Sequence, residues 1–181
     1  MSNNNKEYRI AISGKSGCGN TTVSRLLADT LELRFINFTF RTLAIEHGLT
    51  LDDIIARAEF DEHWDREVDS RQVALARQEG GCVLGSRLAV WMLPEADLRV
   101  FLTAKLETRA GRIQMREGGN LKEIMDYTEH RDSLDSHRYQ KLYNINHDDY
   151  SFVDLIIETD NLNPTQVADT IIDKIRLLHN G

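Results

Sequence analysis

Gly14-Lys15-Ser16-Gly17-Cys18-Gly19-Asn20-Thr21-Thr22 lies between a short apolar run, Arg9-Ile10-Ala11-Ile12-Ser13, and a stretch with helical periodicity. The apolar run predicts a buried strand that stops at the first glycine. Val23, Leu26, Leu27 and Thr30 recur at helical spacing and form the expected inner face of the helix that follows. A glycine-rich loop in this place turns successive backbone N–H groups inward, and the helix adds the positive end of its dipole. Gly14, Lys15, Ser16, Gly17, Cys18, Gly19, Asn20, Thr21 and Thr22 are therefore expected to cradle the phosphates of a nucleotide, with the Thr21 hydroxyl placed for Mg²⁺. Asn20 occupies the position where the usual pattern has Lys, so the loop lacks that charge on the β- and γ-phosphates. Lys15 is the cation within the loop and is expected to supply it.

Outward from the loop, strand and helix patterns alternate. Further strands are expected at Arg34 to Asn37, Cys82-Val83-Leu84, Leu98 to Leu102 and Phe152 to Ile157. Helices are expected over Leu43 to Ala58, interrupted at Gly48, and over Asp61 to Gln78, with Trp64, Val68, Leu75 and Ala76 turned inward. Others are expected over Lys105 to Glu117, Leu121 to Tyr143, and from Pro164 to His179. Such alternation predicts an α/β domain with a parallel sheet. With two prolines, no repeat and no linker among 181 residues, one domain over 1–181 is expected, and the charged pair of helices from Lys105 to Lys141 is its candidate moving part.

Composition narrows the partners. Net charge is −7, from 29 acidic and 22 basic side chains. An acidic chain repels nucleic-acid polymers and anionic membranes, while a few converging arginines still suffice for a small anion. Two cysteines outside any Cys-x-x-Cys pair fit a reducing compartment, and the leading residues Met1 to Tyr8 hold no apolar signal-like run, so a cytoplasmic protein is expected. The six histidines are scattered without metal-ligand spacing.

Two arginine rows follow. Arg109, Arg112 and Arg116 share one helical face, and Arg131, Asp135 and Arg138 share another. A solvated face with an Arg131–Asp135 pair is the plain reading of the second row. Behind a phosphate loop, both rows point to phosphoryl transfer, because guanidinium forks match phosphoryl oxygens and stabilise the moving charge.

The chain resembles the cytidylate (CMP/dCMP) kinases, especially the short archaeal type. Beside the phosphate loop, the resemblance is carried by Phe40-Arg41, Asp65-Arg66-Glu67 with Asp69-x-Arg71-Gln72-Val73, Arg87-Leu88-Ala89-x-Trp91-Met92, Arg131-Asp132-x-x-Asp135-x-x-Arg138-Tyr139, and Asp154-Leu155-Ile156-Ile157 with Thr159. It implies a three-layer P-loop NTPase fold with a five-stranded parallel sheet and a helical lid, containing the acceptor-binding helices, over 105–141. It implies transfer of the γ-phosphoryl of ATP to CMP or dCMP with Mg²⁺. Arg41, Arg87 and Arg138 would hold the acceptor phosphate. Arg131 and Asp135 would hold the ribose, and Arg109 and Arg112 would cover the transferring group. The chain departs from the pattern at Asn20, where short archaeal members carry Thr, and at Gly85-Ser86, where an acidic residue is expected before Arg87. The stretch before Phe40 also lacks a loop-shaping Gly. Another acceptor, a binding protein that no longer transfers phosphate, and a dimeric ATPase in which Lys15 reaches a partner's site are the alternatives. A monomer acting on free nucleotides is the expectation favoured here.

Overall fold

The computed structural model describes residues 8–179. Residues 1–7, on which the reading of the N-terminus mostly rests, lie outside them, as does the side chain of His179. Five parallel strands form one sheet in the order β2-β3-β1-β4-β5. They are β1 (Arg9–Gly14), β2 (Arg34–Ile36), β3 (Cys82–Gly85), β4 (Leu98–Thr103) and β5 (Leu155–Glu158). The helices are α1 (Asn20–Leu31), α2 (Phe40–His47), α3 (Leu51–Ala58), α4 (His63–Ala76), α5 (Ala89–Met92), α6 (Leu106–Glu117), α7 (Leu121–Tyr143) and α8 (Pro164–His179).

The period-two alternation of β1 sorts the core into two layers. Ile10 and Ile12 face a cluster with Val23 and Leu27 of α1 and with Val167 and Ile171 of α8. Ala11 faces the opposite cluster, with Ala76 of α4, Ala89 and Val90 of α5, and Phe101 of β4. Phe38, Leu43, Ile54 and Val68 form a smaller cluster among α2, α3 and α4. Helices on both faces of a parallel sheet complete the three layers.

Several expectations shift. Thr30 is exposed and bonds back to the Leu26 carbonyl at 2.7 Å, and Leu31, half-buried against the core, closes the inner face of α1 in its place. The stretch from Leu43 to Ala58 is two helices: Gly48, with φ 65°, closes α2, and a Thr50–Asp53 capping box starts α3. The last strand begins at Leu155 rather than Phe152. There the Asp154 carboxylate accepts the Arg99 N–H at 2.8 Å, and Asp154 N–H donates to the Arg99 carbonyl at 3.0 Å before regular pairing starts. No described helix is long and apolar enough to cross a membrane.

Parallel order brings the carboxyl ends of β1, β3 and β4 to one edge, where ligands of open α/β sheets bind.

Candidate active site

A cavity of about 570 Å³ opens there, lined by the loop from Gly14 to Val23, by Ser86 and Arg87, and by Arg112, Met115, Thr159 and Pro164. Its floor is the glycine-rich loop. Gly17 has φ 84°, and a Cβ there would sit 2.8 Å from Arg109 Cβ, so this glycine allows α6 to pack directly on the loop.

That packing clasps the loop from behind. Arg109 donates to the Ser16 carbonyl at 3.1 Å. Arg112 donates to the carbonyls of Gly17 at 3.3 Å and Cys18 at 3.4 Å, and to Thr159 Oγ1 at 3.0 Å. Thr159 Oγ1 also donates to the Cys18 carbonyl at 3.3 Å. With these carbonyls turned back, the N–H groups of Ser16, Gly17 and Gly19 have no acceptor among the described residues and are free for an anion. Burial pushes the Cys18 thiol up, which keeps it neutral there.

Arg109 is itself buried and ion-paired to Asp132 at 2.7 Å. It does not line the cavity, and of the pair expected over the transferring group only Arg112 does. Arg116 is exposed, borders the same cavity and pairs with its neighbour Glu117.

Asn20 donates from Nδ2 to the Gly14 carbonyl at 2.8 Å, tying the loop's start to the helix. Lys15 is paired within its own chain, to Asp148 at 2.7 Å. Thr21 is exposed in the cavity, and its hydroxyl makes no hydrogen bond among the described residues. A free hydroxyl on an oxygen-rich phosphate site suits the hard-cation preference of Mg²⁺.

Beyond the loop, Arg87 opens a net of charged side chains. Asp135 receives Arg87 on one oxygen and Arg138, at 3.0 Å, on the other. Arg138 also lies 3.5 Å from Asp65, which burial pushes above the usual carboxylate range. One turn further along α4, Asp69 accepts from the Tyr143 hydroxyl at 2.7 Å, and burial raises its pKa to about 6. Burial and the Asp69 contact push the Tyr143 hydroxyl up.

Arg131 stands apart. The Arg131–Asp135 pair of the plain, solvated-face reading does not form; Arg87 and Arg138 take the two carboxylate oxygens. Arg131 is exposed and lines a smaller cavity, about 220 Å³, with Ser16, Ile113 and Tyr127. Arg41, near the start of α2, is exposed with no partner among the described residues. Asp132, Thr159 and Asp148 are site residues to which the sequence reading assigned no role.

The model of the cytidylate kinase-like family matches residues 9–161. The chain belongs to the cytidylate kinase-like family. It is 45% identical over 173 residues to cytidylate kinase 2 of Borreliella burgdorferi, covering 92% of this chain and 94% of that relative. It is 34% identical over 171 residues to the cytidylate kinase of Archaeoglobus fulgidus, covering 93% and 95%. Among solved structures, shikimate kinase from Acinetobacter baumannii in complex with shikimate superposes with a TM-score of 0.65 at 17% identity, covering 97% of this chain and 96% of that one. Deoxyadenosine kinase from M. mycoides with bound dATP does so with a TM-score of 0.57 at 14% identity, covering 93% and 99%. At such identities these structures speak for the P-loop kinase fold, and the family rests on the sequence relatives.

Proposed function

We propose that the chain is an ATP-dependent kinase of CMP or dCMP. Membership of the family and the names of its relatives support the substrate. The observation that carries the reaction class is the phosphate loop with its carbonyls held back by Arg112 and Thr159, opening on the cavity that Arg87 also lines.

In this reading an oxygen of the acceptor's phosphate attacks the γ-phosphorus of ATP. The bond from the γ-phosphorus to the β,γ-bridging oxygen breaks, and ADP and a nucleoside diphosphate result. Positioning and charge neutralisation do most of the work, so no side chain need be a strong base. The loop N–H groups hold the donor phosphates, and Lys15 turns to the charge that grows on the leaving phosphate. The Thr21 hydroxyl would hold Mg²⁺, which would neutralise charge on the transferring phosphates. Arg41, Arg87 and Arg138 take the acceptor phosphate, and Asp135 then turns to the ribose. Arg131, beside Ser16, is better placed toward the donor phosphates than toward the ribose. The enzyme is proposed to act as a cytoplasmic monomer on free nucleotides.

The test is ADP formation from ATP in the presence of CMP or dCMP against water alone. Stimulation by the nucleotide is the expected result. ATP binding without any transfer would place the chain among binding proteins.

A further inference from the structure

Phosphate-loop sites of the Ras and ATPase type hold their metal through the loop hydroxyl and an acidic side chain from elsewhere in the domain. At the end of β3 this chain has Gly85 and Ser86 instead of an acid. The packing shows why: a Cβ at position 85 would lie 2.4 Å from Ser24 Oγ and 2.7 Å from Ser24 Cβ. Ser24 is fully buried on α1, so it has no room to give way.

A carboxylate reaches the loop from another element. The turn between α7 and β5 brings Asp148 Oδ1 to 2.7 Å from Lys15 Nζ. That turn is anchored on both sides of Asp148. His147 is buried, with its ring centroid 5.1 Å from that of Trp91 and 5.2 Å from that of Tyr139. Its Nε2–H donates to the Arg87 carbonyl at 3.0 Å, and burial holds the imidazole below its ordinary pKa, hence neutral. Tyr150 stacks on Phe101 at 4.0 Å and 7°. Asp148 N–H donates to the Asn146 side chain at 3.1 Å. The carboxylate itself is 62% exposed, and a pair this open adds little to stability. What the anchors secure is a negative charge on the lone cation of the phosphate loop.

We propose that Asp148 makes the phosphate loop select metal-loaded nucleotide over metal-free nucleotide. The inference rests on the nucleotide-binding reading of the same loop. Against a bare triphosphate, the carboxylate repels the polyanion, and Lys15 must leave an ion pair to reach it. With a divalent cation on the phosphates, the carboxylate faces a positive charge, and Lys15 is released to the phosphate oxygens. A neutral side chain at position 148 removes both effects.

Calorimetric titration of the full chain with ATP in excess Mg²⁺, and with ATP in excess EDTA, yields two dissociation constants whose ratio is the readout. Asp148→Asn is expected to tighten metal-free binding and shrink the ratio by about fivefold or more. Asp148→Glu is expected to keep the wild-type ratio. An unchanged ratio in Asp148→Asn, or equal weakening of both forms, overturns the proposal. CDP formation by the same wild-type preparation separates this inference from the functional one. A preparation that makes CDP while Asp148→Asn leaves the ratio unchanged sinks Asp148 alone. A shifted ratio without CDP sinks the kinase assignment alone.

Discussion

In the proposed reading, the donor half of the cleft is made of backbone, and the acceptor half is made of charged side chains. In the donor half, Arg109, Arg112 and Thr159 hold carbonyls of the loop, and the N–H groups of Ser16, Gly17 and Gly19 have no acceptor among the described residues. Nothing there has to be rearranged before an anion arrives, apart from Lys15. In the acceptor half, Arg87 and Arg138 are already neutralised by Asp135 and Asp65. An incoming phosphate must displace these carboxylates. Preorganisation and partner exchange therefore coexist in one site, and mutations on the two sides should report differently.

The largest effect is expected behind the loop. Arg109→Ala leaves Asp132 buried without its partner and frees the Ser16 carbonyl. Breaking such a buried pair costs roughly 3–5 kcal/mol. Urea unfolding at constant slope measures it, and a loss under about 1 kcal/mol would show that the clasp is not structural.

Next comes the acceptor side. Arg138→Ala is expected to lower kcat/KM for the acceptor by about ten- to hundredfold, from a lost charge-assisted contact of roughly 1.5–3 kcal/mol. ATP affinity should hold. Equal weakening of donor and acceptor would erase the division between the halves.

Lys15 tests the one part of the donor half that must move. Lys15→Ala is expected to cut turnover by about tenfold, equivalent to roughly 1.4 kcal/mol. Wild-type turnover with unchanged ATP affinity would shift that charge to Arg112 and Arg131.

The contrast between the halves also governs what could be read from the chain. The strands and the loop were legible because their signals are local: apolar runs stopped by glycine, then helical spacing from Val23. α5 escaped notice because four residues are too few to show a period. The clasp escaped because its partners are remote. Thr159 and Cys18 lie 141 positions apart, and nothing in either neighbourhood announces the other. The arginine rows were visible by spacing, but spacing did not tell which carboxylate each arginine would meet. The i, i+4 rule offered Asp135 as a plain partner for Arg131, and Arg87 and Arg138 meet that carboxylate instead. Asp148 was invisible, since its role depends on a turn anchored by His147 and Tyr150.

The smallest expected effect is the pH response of the acceptor side. Burial lifts the Asp69 carboxyl from 3.8 to about 6, so the folded chain keeps a proton that the unfolded chain has lost. Stability should therefore fall as pH rises from about 4 to about 6 and stay lowered above it. Asp69→Asn removes that dependence, with a gain at pH 7 that vanishes at pH 4. Parallel pH–stability curves for the two proteins would place the titrating group elsewhere.

The assignment of the acceptor half is tested most directly by competition. ATP is mixed with CMP, UMP, AMP and GMP at equal concentration, and the nucleoside diphosphate that forms alongside ADP is identified by mass. CDP is the product this account expects, with dCMP replacing CMP giving dCDP in the same position. Two ADP formed for each ATP consumed, with AMP depleted and CMP untouched, would contradict it.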